Sequence, residues 1–126
     1  MKRFWLGAVL LAVLFGFCLL AMLYTARCTE TMQEYLLSAE QAAEKEDFSS
    51  AAKQIAAAQE EWKTHGRILG ALLRHDEADC VESDLASLAQ YADFRDALDF
   101  SAVCAGLRQK LRHIKDMECP KIENIL

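Results

Sequence analysis

The chain has one proline, Pro120, six residues from its last residue. Helices before it can therefore run long without a ring that removes a backbone donor and blocks the preceding turn. No Asn-Gly or glycine-rich hairpin signal separates alternating apolar runs, which removes the usual mark of a β-sheet. Of the five cysteines, none forms a Cys-x-x-Cys pair, so no zinc-ribbon or redox motif is present. Also missing are a Gly-x-Ser-x-Gly turn, a phosphate-binding loop and a base at motif spacing from a cysteine. Catalysis has no support, and the chain is expected not to be an enzyme. Positive charge is scarce where it would matter. All 19 acidic residues follow the first apolar run and two of the 14 basic residues precede it, which leaves the remainder at about −7. Such a body repels a polyanion, so nucleic acid is not an expected partner.

What is abundant is apolar length. Residues 4–26 carry no charge, are preceded by Lys2 and Arg3, and are closed by Arg27. At about 1.5 Å per residue the run crosses a hydrocarbon core of about 30 Å. A cleaved signal has a shorter apolar region and small residues at both positions before the cut. Here a cut after Ala26 has Tyr24 upstream and one after Ala21 has Leu19, while Arg27 before Cys28 argues against a lipoprotein. The expectation is a retained single-pass anchor over residues 4–26, with 1–3 as a cytoplasmic basic flank and 27–126 as an extracytoplasmic body in the cell membrane. Lys2 and Arg3 set that orientation, with the amino terminus inside. Trp5 and Tyr24 sit where aromatic belts lie. Ala8, Ala12 and Gly16 recur every fourth residue, a spacing that allows a second membrane helix to approach and that also arises by chance.

About a hundred residues remain, enough for one small domain. Met32, Leu36, Ala39 and Ala43 are spaced three or four apart, with Glu34, Glu40 and Glu44 between them, which predicts an amphipathic helix continuing the span. Asp47 reads as an N-cap before Phe48. Ile55, Trp62 and Leu69 recur at seven, interleaved with Ala51, Ala58, His65 and Leu72, which predicts one helix from Phe48 to about Arg74. The rival is a helix end at Lys63-Thr64-His65-Gly66; Gly66 and Gly70 either mark a break or let another helix come close. His75-Asp76-Glu77-Ala78-Asp79 reads as a polar turn, followed by a short helix with Val81, Leu85, Leu88 and Ala92 inward. Asp93 before Phe94 repeats the Asp47-Phe48 pattern. The last helix buries Ala97, Phe100, Cys104, Leu107, Leu111 and Ile114 and ends at Cys119-Pro120, with Ile122, Ile125 and Leu126 folding back. The fold class is all-α: an N-terminal transmembrane helix continuing into a small antiparallel bundle of about four helices. The two Asp-Phe starts align Ala51 with Ala97 and Ala56 with Ala102, two hairpins of similar design.

Glu46-Asp47-Phe48 opening a helix, Trp62, Leu72-Leu73-Arg74-His75 with Glu77 and Asp79, then Leu85, Leu88, Tyr91, His113-Ile114 and the closing Glu123-Asn124-Ile125-Leu126 carry a resemblance. Together they resemble a family of small membrane-anchored bacterial proteins catalogued as a domain of unknown function, found mainly in spore-forming Gram-positive bacteria. The resemblance implies an anchor and an all-helical body. It implies no activity, and its marks are packing and turn residues that carry no site across.

Candidate sites are few. His75 and Asp79 with His113 are the candidate metal ligands, since the carboxyl ends of the second and fourth helices share one end of an up-and-down bundle. Carboxylates ahead of a helix are as readily caps and dipole partners, and no metal site or cofactor is assigned. Adjacent acids such as Glu60 and Glu61 mostly face water. Arg108, Arg112 and Lys115, with Lys110 nearby, form a basic face that meets either anionic headgroups or the helix macrodipole. Cys80 and Cys104 reach similar height in a hairpin folded at Ala92-Asp93. A disulfide competes there with Cys104 as a buried free thiol. The expected role is a scaffold or interaction module that binds the lipid bilayer and a protein partner or itself. The alternative is a sensor-like bundle binding a small ligand or metal near His75 and His113.

Overall fold

The computed structural model describes residues 1–72 and 74–118. Four helices account for nearly all of them: α1 over Lys2–Glu44, α2 over Phe48–Leu72, α3 over His75–Phe94 and α4 over Ala97–Glu118. The expected all-α class and antiparallel bundle are present, and among the described residues there is no strand. The Leu72 side chain, the helix end at Cys119-Pro120 and the fold-back of Ile122, Ile125 and Leu126 lie outside the described residues.

α1 does two jobs with one unbroken 43-residue helix. It is the one described helix long and apolar enough to cross a membrane, and the bundle covers none of its most apolar 18-residue stretch. From Thr25 onward a stripe of Thr25, Cys28, Thr29, Met32, Leu36, Ala39 and Ala43 is buried. The spacing of three and four keeps that stripe on one side, so the same continuous helix forms a wall of the bundle. α1 packs against α2 and α4, and α3 packs against the same two, so the four helices form a closed square. The base of the square lies beside the apolar run, and both hairpin turns lie at the far tip.

α2 runs through Gly66 and Gly70 without a break. Close approach explains neither glycine. A Cβ on Gly66 would make ordinary contact with Trp62 at 3.7 Å, and one on Gly70 would meet nothing within 4 Å. Continuous burial of Ile55, Ala58, Trp62 and Leu69 holds the helix instead.

Both hairpin turns have the same construction. At the first, Glu46 takes φ 59°, its N–H reaches Ala43 O at 3.0 Å and the Asp47 N–H reaches Ala42 O at 2.9 Å. At the second, Arg95 takes φ 56°, its N–H reaches Ala92 O at 3.3 Å and the Asp96 N–H reaches Tyr91 O at 3.0 Å. These are Schellman closures with a charged residue where glycine is usual. Each is followed by an aspartate cap: Asp47 Oδ1 accepts from the Ser50 N–H and Asp96 Oδ1 from the Asp99 N–H, both at 3.2 Å. The second cap is therefore Asp96 and not Asp93, because α3 continues to Phe94.

That correction resets the internal repeat. The hairpins overlay at 49 residues, the separation of Asp47 from Asp96, rather than the shorter shift that pairs Ala51 with Ala97. At this register Met32, Leu36, Ala39 and Ala43 match Val81, Leu85, Leu88 and Ala92, while Ala51, Ile55, Ala58 and Trp62 match Phe100, Cys104, Leu107 and Leu111. All sixteen are buried. Small residues of one hairpin match large ones of the other at Ala51 and Phe100, and at Ala58 and Leu107, so volume is shared across the core. Ala97, expected to face inward, is exposed in the first turn of α4.

Candidate functional site

The base of the bundle joins a tyrosine, a histidine and a glutamate. Tyr24, near the carboxyl-terminal end of the apolar run, hydrogen-bonds through its hydroxyl to His65 Nδ1 across the α1–α2 contact. The rings meet edge-on with centroids 5.4 Å apart. On the other side of the imidazole, Nε2 lies 3.1 Å from Glu61 Oε1, one turn earlier on α2. In the neutral imidazole this fixes the roles: the tyrosine O–H donates to Nδ1, and Nε2–H donates to the carboxylate. Glu61, expected to face water, is thus half-buried and engaged, with its side chain 26% exposed. Below and beside this chain is a hollow of about 590 Å³, whose lining includes Leu20, Leu23, Arg27, Cys28, Glu61 and His65. One side is apolar and the other carries a cation and a carboxylate.

Thr25 and Thr29 are fully buried at the same level. The Thr29 hydroxyl donates to Thr25 O at 3.0 Å, whereas Thr25 Oγ1 has no partner among the described residues. Burial, with a contribution from the Glu61 charge, pushes the Cys28 thiol up to about 11.

The residues singled out as metal candidates separate. His75 through Asp79 form the first turn of α3 and not a turn between helices, and His75 and Asp79 are both exposed. His113 lines a smaller hollow of about 220 Å³ with Asp76, Glu77, Cys80 and Lys110. Among the described residues, no three histidine, cysteine, aspartate or glutamate side chains are placed to share a metal ion. Asp76 instead pairs with Arg74 at 3.5 Å, beside the start of the helix.

The basic face on α4 also resolves differently. Arg108 Nη2 sits 2.9 Å from Glu40 Oε2, a close ion pair without hydrogen-bond alignment. Lys110 Nζ meets Asp84 Oδ2 at 2.7 Å, and Lys115 pairs with Glu30. These cations tie α4 to α1 and α3, and of the named group Lys110 and Arg112 are exposed. The Lys115 contact holds the Glu30 carboxyl below its ordinary range, chiefly by hydrogen bonding and then by charge. Cys80 is exposed and Cys104 buried, and both are free thiols. Cys104 behaves as a small core residue, its Sγ 3.9 Å from Leu36 O and its titration pushed up to about 12 by burial.

Tyr24 has the position of an aromatic-belt residue and His65 that of a core-stripe residue, and nothing in their spacing marks that the two touch. The available signal was Glu61 and His65 at a spacing of four, which puts them on one helix face.

A protein-family model described as a domain of unknown function, DUF4363, matches residues 19–125. The chain belongs to that family. The DUF4363 match includes the carboxyl-terminal end of the apolar run as well as the bundle, so the Tyr24–His65–Glu61 chain and its hollow lie wholly within it. Neither the curated proteins nor the solved structures contain a match to this chain.

Proposed function

We propose that this DUF4363 chain is a retained single-pass membrane protein, amino terminus inside, whose extracytoplasmic bundle acts by binding another protein and not by catalysis. One observation carries the interaction. At the tip farthest from the apolar run, Phe94 and Leu98 are 81% and 82% exposed. Their counterparts in the other hairpin, 49 residues earlier, are Lys45 and Ser49, so the fold does not need apolar side chains there. A phenylalanine and a leucine held in water by a rigid turn are suited to a socket on a partner. Asp93, Asp96 and Asp99 outnumber Arg95 around them, and the net negative charge favours a basic rim on that socket.

Retention is supported by the continuity of α1: cleavage after Ala26 would remove Tyr24 and Thr25, which the bundle uses. The test is a cross-linking experiment in intact cells with the full chain, paired with a protease-access assay on a tag placed after Leu126. A discrete cross-linked complex that disappears in the Phe94→Ser, Leu98→Ser double variant, with the tag cleaved from outside, is the expected result. A complex unaffected by the double variant, or a tag protected until the cells are lysed, would refute this function.

A further inference from the structure

The hollow at the bundle base sits at a defined height. α2 is antiparallel to α1, with His65 opposite Tyr24, and it continues to Leu72. Its last seven residues therefore descend about 10 Å alongside the apolar run. That stretch includes Ile68, which is 54% exposed, and Arg67, also exposed. Arg67 and the exposed Arg74, His75 and Asp76 beyond the end of α2 lie at that depth, so in an anchored chain the hydrocarbon ends near Leu20 and the hollow opens where headgroups begin, its apolar lower wall against hydrocarbon and its polar upper wall among headgroups.

The lining matches one class of amphiphile. Leu20 and Leu23 form the wall nearer the span, and Arg27 and Glu61 bring opposite charges to the other wall. An anionic headgroup without a cation would meet Glu61 as a like charge, and a purely cationic one would meet Arg27. A headgroup carrying a phosphate and an ammonium satisfies both. The volume, about 590 Å³, falls within the range of small-ligand sites.

We infer that the hollow between α1 and α2 binds one zwitterionic aminophospholipid, its phosphate on Arg27, its ammonium on Glu61 and its acyl chains along Leu20 and Leu23. His65 lies beside this site, accepting the Tyr24 O–H hydrogen bond on Nδ1 and meeting Glu61 through Nε2. This inference rests on the anchoring proposed above.

The experiment is native mass spectrometry of the full chain in non-ionic detergent, titrated separately with phosphatidylethanolamine, phosphatidylglycerol and water-soluble glycerophosphoethanolamine. One phosphatidylethanolamine retained in preference to phosphatidylglycerol is expected, with binding about tenfold weaker in Arg27→Gln and in Glu61→Gln, the loss expected when a charged hydrogen-bond partner is removed. Arg27→Lys keeps most of the binding, and Arg112→Gln, at an exposed cation elsewhere, leaves it unchanged. Equal retention of the two lipids, insensitivity to both Gln variants, or displacement by the soluble headgroup as readily as by intact lipid would overturn the site. Thermal melts of each variant separate lost binding from lost fold, and Arg27→Lys supplies the folded comparison if Arg27→Gln melts early. Alkaline extraction of membranes reads the anchor independently. A chain that washes out defeats the anchoring itself, whereas one that stays without lipid selectivity defeats only this site.

Discussion

Cys104 and Cys80 show how one residue type takes two roles according to which side of its helix it occupies. Cys104 is fully buried, and removing its thiolate from water leaves the neutral form as the stable one. Its folded-state titration lies above the ordinary value of 9.0, so its contribution to stability is complete below that pH and is lost as pH rises through about 12. In single-cysteine variants at neutral pH, a maleimide is expected to modify Cys80 in the folded chain and to leave Cys104 untouched until the bundle is unfolded. Mass spectrometry of the labelled protein checks this, and rapid labelling of Cys104 in the folded chain would contradict its placement. The alternatives left open for this pair, a disulfide or a buried thiol, turned on which face of α3 carries Cys80. Spacing along one helix does not fix that face until its neighbours are known.

At the scale of the helical element, the caps discriminate best. Asp96 accepts the backbone N–H of Asp99, and Asp93 lies within α3. Asp96→Ala is expected to cost about 1 kcal/mol, as other cap removals do, and Asp93→Ala close to nothing. Thermal unfolding of the full chain in detergent reads both, and a larger loss from Asp93→Ala would restore the earlier cap assignment. Asp47 has the matching role, and its hydrogen bonds to Ser50 lower its titration. That contribution is present above the unfolded-state value and fades as pH falls through the folded one. The element boundaries were legible where capping chemistry and apolar period agreed, as at Asp47-Phe48. They failed where two aspartates stood three residues apart, because Asp93 and Asp96 are equally good caps and only the left-handed Arg95 between them selects one.

For the whole molecule, the decisive feature is a single helix with an uncovered apolar half and a half built into the bundle. One inserted residue turns everything beyond it by about 100°. An alanine inserted after Leu14, in the uncovered stretch, rotates the span without disturbing the bundle, and the melting temperature is expected to stay the same. An alanine inserted after Met32 turns Leu36, Ala39 and Ala43 out of the core, and the bundle is expected not to fold. Circular dichroism melts of the two variants make the comparison, and equal behaviour would show that α1 is not a wall of the bundle. The candidate site was less legible than the fold at this scale. Tyr24 and His65 are 41 residues apart, and what joins them is the antiparallel register of two helices. Likewise headgroups and the helix macrodipole were the two readings of the basic face on α4, and its ion-pair partners Glu40, Asp84 and Glu30 were not legible because they lie on other elements.

The sequence by itself determined that the chain is helical, where the apolar run lies and most of the core, since each follows from a local period: an uncharged stretch of sufficient length, and apolar residues three and four apart; Ala97 and the start of α3 at His75 escaped it. It also determined that an activity motif is absent. Tertiary structure alone decided the 49-residue register of the two hairpins, the pairing of the α4 cations and the meeting of Tyr24, His65 and Glu61. Those depend on how far one helix slides along another, and a 3.6-residue period repeats too often to specify that distance; it is set when large side chains such as Phe100 and Leu107 find their spaces in the assembled core.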